Sequence, residues 1–344
     1  MGDIIKKHKI AFHREGSKWF SLWTNYCDRK GINYIVVNAY ENDIVAHLLK
    51  NKVTHLFWHF NQSIYVDVLM ARDVLFSATL AGIKTFPDFF TSWHFDDKVS
   101  QKYLLEAVGA PLVPSYVFYS KEEALNWVEA TDFPKVFKLR RGAGGGNVWL
   151  INDVNHARHV IKRAFGRGIP IFNRVGNLKE RVRKYRAGKD DFLGVIKGIA
   201  RLFIYPKSLA KFPRECGYVY FQDYIPNNKF DIRVVVIGKR AFAIKRMVRP
   251  NDFRASGSGD ILYEKENFSN ETIKLAFETA EKIKSQCVAF DFVYDFQGKP
   301  LIVEISYGFV QDGYYQCVGY WDNNLVFHEG KFIPQEWIIE DALR

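Results

Sequence analysis

The chain is poor in cysteine, and the cysteines it has are badly placed for chemistry. Cys27, Cys216, Cys287 and Cys317 lie far apart. Without a CxxC pair they exclude a zinc ribbon and a dithiol redox centre, and they read as reduced thiols of a cytoplasmic protein. No apolar run approaches the roughly 20 residues that cross a bilayer, which excludes a helical membrane protein. The opening stretch MGDIIKKHKIAFH lacks the apolar core and small-residue cleavage site of a secretory leader. There is no internal repeat, no low-complexity tract and no Ser–His–Asp set that would suggest a covalent nucleophile.

What is present is ordinary in bulk and uneven in charge. The 344 residues, 48% hydrophobic and 25% charged, suffice for two or three domains with normal cores. The aromatic share of 16% predicts thick cores or aromatic-lined pockets. Between His156 and Arg214 stand 16 Lys or Arg against three acids, a larger surplus than the whole chain's +11. The basic character therefore belongs to one segment, and the remainder is slightly acidic.

The first ninety residues alternate between strand and helix patterns. Strands are expected at Lys9–His13, Ile32–Asn38, His55–Phe60 and Lys84–Pro87, with helices between them. That alternation predicts a parallel, doubly wound sheet whose ligands sit at the carboxyl ends of the strands. Those ends carry His13 and Arg14 after the first strand, and His59 and Asn61 after the third, which are candidate substrate contacts. Each is also an ordinary rim residue.

Three constellations follow. In the first, a strand delivers Lys138 into Arg140-Arg141-Gly142-Ala143-Gly144-Gly145-Gly146, a loop whose backbone N–H groups can approach an anion without Cβ obstruction. A strand follows it, so it is neither a Walker A loop nor a dinucleotide fingerprint. In the second, the strand Val219–Phe221 ends in Gln222, Asp223 and Ile225, with Asp231 and Arg233 a few residues on. That pattern offers an adenine an apolar slot with backbone partners and offers a ribose a carboxylate. In the third, Asp291 and Glu304 lie on adjacent strands of a hairpin, each flanked by apolar residues. Two buried carboxylates side by side resist ionising; a divalent cation resolves the conflict, and oxygen ligands suit Mg²⁺ bridging nucleotide phosphates.

In this order and spacing the three constellations resemble the ATP-grasp superfamily over roughly residues 94–312, closest to its glutathione synthetase-like and glutamate-adding carboxylate–amine ligases. The resemblance implies an α/β fold. A Rossmann-like pre-ATP-grasp domain (1–93) would precede a central subdomain (94–217) and a C-terminal subdomain (218–344), with a basic helical insertion at about 152–217. It implies ATP and Mg²⁺ as cofactors, with Lys98, Lys138 and the glycines 142, 144, 145 and 146 on the phosphates. Gln222, Asp223 and Ile225 would meet the adenine and Asp231 the ribose. Arg233, Arg246 and Arg254 would act as catalytic cations, and Asp291, Glu304 and Ser306 as metal ligands. Ser306 departs from the family's Glu-x-Asn ending, and serine is a weaker ligand of shorter reach.

The implied reaction activates a small-molecule carboxylate as an acylphosphate, which an amine then attacks. A kinase acting on a hydroxyl of an anionic acceptor and a nucleotide-binding pseudo-enzyme are the competing readings. A sugar acid or amino acid of surface-polysaccharide synthesis is a substrate expectation by analogy alone. The aromatic tail from Tyr314 to Asp322 reads as core or as a stacking platform for a sugar or base. In the basic segment, apolar residues at 195, 199 and 202–203 recur at helical spacing among cations. They suggest either a solvated helical insertion packed on the subdomains or a site for an anionic partner. That partner would be a polyanionic substrate or the inner membrane surface; no nucleic-acid-binding module is visible.

Overall fold

A computed structural model describes residues 8–14, 16–142, 147–186, 188, 190–249, 252–255 and 257–344. It contains three sheets, each built from consecutive strands.

The first sheet is parallel, with order β2-β1-β3-β4: β1 (Lys9–His13), β2 (Asn33–Val37), β3 (His55–Phe57) and β4 (Lys84–Phe86). Helices Lys18–Lys30, Ile44–Lys50 and Tyr65–Leu80 connect them, so the strand–helix alternation does produce the expected parallel layer. Local chemistry sets the ends. The Ser17 side chain caps the first helix by accepting from the Phe20 N–H, and Gly31 closes it at φ 64°, a conformation that suits glycine.

The second sheet is antiparallel, order β5-β8-β6-β7, from β5 (Ser115–Phe118), β6 (Lys135–Lys138), β7 (Val148–Ile151) and β8 (Val219–Asp223). Since β8 pairs with β5 and β6, the change-over to the next layer falls after Asp223, not at 217/218. The third sheet runs β13-β12-β9-β10-β14-β15 with β11 paired to β10. Its strands are β9 (Phe230–Ile237), β10 (Arg240–Met247), β11 (Ile261–Leu262), β12 (Cys287–Tyr294), β13 (Pro300–Ser306), β14 (Gly319–Asp322) and β15 (Phe327–Glu329).

Packing ties these layers together. One apolar cluster joins the first sheet to one side of the third through residues such as Trp23, Phe57, Val235, Phe242 and Tyr307. The final helix, Pro334–Ala342, returns to the N-terminal unit, where the indole N–H of Trp23 donates to the Gln335 carbonyl at 3.2 Å. The other side of the third sheet buries Ile273, Ala276 and Ala280 of helix Asn270–Lys282. Of the aromatic tail, Tyr314, Cys317 and Trp321 are buried in the core, whereas Tyr315 is exposed.

The basic segment is not one insertion. Helix Val154–Ala164 belongs to the subdomain, because Ala157, Val160, Ile161 and Ala164 pack into the core of the second sheet. Only the helices Arg174–Arg186 and Phe192–Phe203 project as a packed pair. Among the described residues no helix is long and apolar enough to cross a membrane.

Candidate functional site

A cleft of about 580 Å³ lies between the second and third sheets. Its walls bring together Lys98, Lys138, Gly142, Gln222, Asp223, Ile225, Asp231, Arg233, Arg246, Arg254, Asp291, Glu304 and Ser306. These residues span some two hundred positions of sequence, and β6, β8, β9, β10, β12 and β13 deliver most of them. Gly144, Gly145 and Gly146 lie outside the described residues.

The floor is a four-charge cluster across β9, β10 and β12. Register sets it: Asp291 pairs with Arg233 across β12 and β9, and Asp231 with Arg246 across β9 and β10. Arg233 holds both oxygens of Asp291, at 2.6 and 2.7 Å. Arg246 holds both oxygens of Asp231 at 2.7 Å and reaches Asp291 at 3.0 Å. Burial opposes the ionisation of Asp291, but Arg233 and Arg246 more than offset it and hold the carboxyl well below the usual range. Bidentate, charge-assisted pairs of this kind are rigid as well as strong.

Beside the cluster stand the two lysines. Lys98 Nζ lies 3.1 Å from Glu304 and donates to the Gly142 carbonyl at 2.9 Å. Burial works against its charge, yet Glu304 and Asp96 raise its pKa. Lys138 Nζ donates to the Gln222 side chain at 2.6 Å. Burial lowers its pKa to about 8, with Glu304 opposing and Lys98 reinforcing the shift. The Gln222 amide, itself buried, also donates to Ser115 at 3.0 Å; in this structure it positions Lys138. The Asp223 carboxylate pairs with Lys135 at 2.6 Å. The apolar part of the cleft comes from Val113, Val136, Ile225 and Phe230.

Asp291 and Glu304 face each other on β12 and β13, and the register shifts immediately beyond them, between Asp291 and Phe292. The irregularity puts both Val303 and Glu304 on the cleft wall, as bulges do when they re-aim a side chain. Ser306 lines the same wall, with its hydroxyl donating to the Gly308 carbonyl at 2.9 Å. Among the described residues no group of three or more His, Cys, Asp or Glu could hold a metal. Two carboxylates and a hydroxyl are too few oxygens for a protein-only cage. They do fit Mg²⁺, which characteristically takes one or two carboxylates and completes its shell with phosphate oxygens and water.

The N-terminal candidates behave differently. His13 is a core histidine. Its Nδ1 accepts from the Ala39 N–H at 2.9 Å, its ring packs against Tyr40 and Trp58, and burial lowers its pKa to about 4. Arg14 is exposed and lines no described cavity. Asn61 caps a turn by accepting from the Ser63 N–H at 2.8 Å. His59 stacks on Trp19 with ring centroids 4.1 Å apart; burial lowers its pKa to about 3, and both ring nitrogens lack a hydrogen-bond partner among the described residues. Of the N-terminal unit, Gln62 lines the cleft.

Sequence reasoning missed Asp96 and a second chamber. Asp96 sits at φ 53°, accepts from the Gly142 N–H at 2.9 Å, and has its pKa raised by burial to about 6. It lines both the cleft and an adjoining cavity of about 830 Å³. Helix Arg174–Arg186 walls that chamber with Lys179, Glu180 and Arg183, and Arg141, Arg249 and Arg254 face it from other elements. Arg183 and Arg249 both pair with Glu180, and Arg254 pairs with Asp252 at 2.6 Å. The signal for the chamber was the basic segment itself, but only the fold shows which of its cations turn inward.

With the geometry in place, residues 216–312 match the model of the RimK-like ATP-grasp domain. That span runs from β8 through β13 and holds the whole charge cluster. The fold is ATP-grasp. Similar solved structures extend over nearly the full chain. The RimK domain ATP-grasp protein of Sphaerobacter thermophilus aligns with 97% of this chain and 99% of its own, at TM-score 0.56 and 12% identity. The D-cycloserine synthetase DcsG covers 98% and 100%, at 0.57 and 13%. The biotin carboxylase of Campylobacter jejuni, in a β-γ-ATP complex, covers 97% and 70%, at 0.58 and 13%. No curated protein sequence matches significantly. The first sheet stands where an ATP-grasp chain carries its pre-ATP-grasp unit, and the second and third sheets enclose the ATP-grasp cleft.

The charge cluster generates a test that separates its two carboxylates. Asp291→Asn leaves the half-buried Arg233 and the buried Arg246 guanidinium groups short of a partner and should destabilise the nucleotide-free protein by on the order of 3 kcal/mol. Glu304→Gln, at a side chain 31% exposed, should cost well under half of that. Chemical denaturation of both variants checks this, and equal losses would contradict the reading of Asp291 as the anchor of the cluster.

Proposed function

We propose that the chain is an ATP- and Mg²⁺-dependent carboxylate–amine ligase that forms an amide and releases ADP and phosphate. One observation carries the reading: a single cleft sets Lys98, Lys138, Arg233 and Arg246 against Asp291 and Glu304. Phosphoryl transfer depends on positioning and on neutralising charge rather than on covalent help, and this cleft supplies both. Asp291, Glu304 and Ser306 are the residues that would hold Mg²⁺, which when bound would neutralise the phosphate charge and bridge the phosphates to the protein.

The chain's own groups divide the remaining work. Lys98 and Lys138 present charge to the phosphates, and Gln222 and Glu304 hold them in place. Ile225 and its apolar neighbours accept the adenine, and Asp231 faces the ribose from within its pair with Arg246. Arg254, held by Asp252, stands where cleft and chamber meet. The adjoining chamber receives the acceptor, and Arg141, Lys179 and Arg183 favour an anionic one. Asp96 lies between the two cavities with its pKa raised by burial to about 6, suited to take the proton that an attacking amine gives up. The carboxylate attacks the terminal phosphate, ADP leaves, the amine attacks the acylphosphate, and inorganic phosphate leaves. Sugar acids and amino acids used in surface-polysaccharide synthesis are the substrate class we favour, with a cytoplasmic site of action.

Two measurements test this. Release of ADP across a panel of carboxylates and amines, including uronic acids and nucleotide-linked sugar acids, should require one of each. Release that needs only a hydroxyl acceptor would favour a kinase, and no turnover with any pair would favour a pseudo-enzyme. Nucleotide capture is tested through Lys138. Bound phosphates raise its pKa from about 8, so a non-hydrolysable ATP analogue should take up close to one proton at about pH 9 and almost none through this lysine near pH 6.5. Calorimetry in buffers of different ionisation enthalpy reads the uptake, and Lys138→Met should abolish it. An unchanged proton count in that variant would remove Lys138 from the phosphate site.

A further inference from the structure

Helix Phe192–Phe203 packs with its bulky side outward. The residues it buries are Gly194 and Gly198, both on the side facing helix Arg174–Arg186. Approach is close at Gly198, where a Cβ would lie 2.9 Å from Arg181 Cδ and 3.0 Å from Leu178 Cδ1, while a Cβ at Gly194 would press on the Asp190 carboxylate. Arg181 locks the pair by donating to the Gly194 carbonyl at 3.0 Å. The opposite face carries Phe192, Leu193, Ile196, Ile199, Phe203 and Ile204, each between 46% and 78% exposed. Tyr185 extends the patch through a ring contact with Phe192 at 5.9 Å. Phe192, Ile196, Ile199 and Phe203 fall on one stripe of the helix and Leu193 and Ile204 on the next, with Lys197 at the border and Arg201 further round. A contiguous apolar patch with a polar rim is a docking surface rather than scattered exposure.

We propose that this helix lies in the interface of an anionic lipid membrane, with the apolar stripe among the acyl chains and the flanking cations at the headgroups. Charge complementarity selects this occupant. The helix pair and its connection, residues 174–204, have nine Lys or Arg against three acids, so a second copy placed on the face would set like charges together, whereas anionic headgroups neutralise them. An exposed apolar face with Lys and Arg at its border is the pattern of helices that lie in a membrane surface. Helix Arg174–Arg186, against which the striped helix packs, also walls the chamber beside the cleft, so docking would bring the chamber close to the bilayer. The inference does not rest on the ligase reading.

The test is flotation of the full chain with vesicles of phosphatidylcholine containing about 30 mol% phosphatidylglycerol, against phosphatidylcholine alone. Binding to the anionic vesicles is expected, at least about tenfold tighter than to neutral ones and weakened by salt. Changing Ile196→Ser, Ile199→Ser and Phe203→Ser together should weaken it at least about tenfold while the melting temperature and ATP-analogue affinity stay unchanged. Should that variant fail to fold, Phe203→Trp keeps the apolar face, and lipids brominated on their acyl chains should quench its added emission. Absence of flotation with anionic vesicles, wild-type flotation by the triple variant, or added emission from Phe203→Trp that brominated lipids leave unquenched would overturn the proposal. So would a concentration-dependent dimer that the triple variant dissociates.

Discussion

The cleft depends on one arrangement: Asp231, Arg233, Arg246 and Asp291 meeting on three adjacent strands with two acids and two guanidinium groups in balance. Removing water from four charges is expensive, and the pairing has to be bidentate and complete to offset it. That demand fixes the register of β9 against both β10 and β12, and it holds the cations rigidly where a polyphosphate would meet them. Rigid donors need little reorganisation as charge develops, which makes preorganised sites effective in phosphoryl transfer. The same arrangement keeps Asp291 ionised despite its burial. Arg233 and Arg246 hold Asp291 as an anion, and Lys98 faces Glu304.

Much of this was legible in the sequence, because strands and their charged residues announce themselves locally. β1 falls where the pattern puts it, at Lys9–His13. The glycine-rich loop, the Asp231-x-Arg233 pair and the Asp291/Glu304 hairpin carry enough spacing to indicate the ATP-grasp fold. Their partners were not legible. That Asp231 takes both its hydrogen bonds from Arg246, that Gln222 serves Lys138, and that Asp223 is occupied by Lys135 are consequences of cross-strand register. A single strand read alone cannot show register.

Two failures have a common cause. His13 and His59 were placed correctly at the ends of parallel strands, but strand ends are also where aromatic side chains close a core. Both rings are used that way, one against Trp58 and one on Trp19. For the helix from Phe192, the apolar periodicity suggested either a solvated insertion packed on the subdomains or a site for an anionic partner. In the fold Gly194 and Gly198 are the buried residues and the stripe is the free surface, with a Cβ at Gly198 set to press on Arg181 and Leu178 of helix Arg174–Arg186. Periodicity reports that a helix has two faces; what stands beside it decides which one is buried.

The central claim is that the cleft transfers a phosphoryl group to a carboxylate before an amine displaces it. The most direct measurement uses a carboxylate substrate labelled with heavy oxygen, followed by mass analysis of the phosphate released. Passage through an acylphosphate predicts one labelled oxygen per inorganic phosphate, with ADP, amide and phosphate formed in equal amounts. Phosphate free of label, or phosphate retained on the acceptor, would contradict the account.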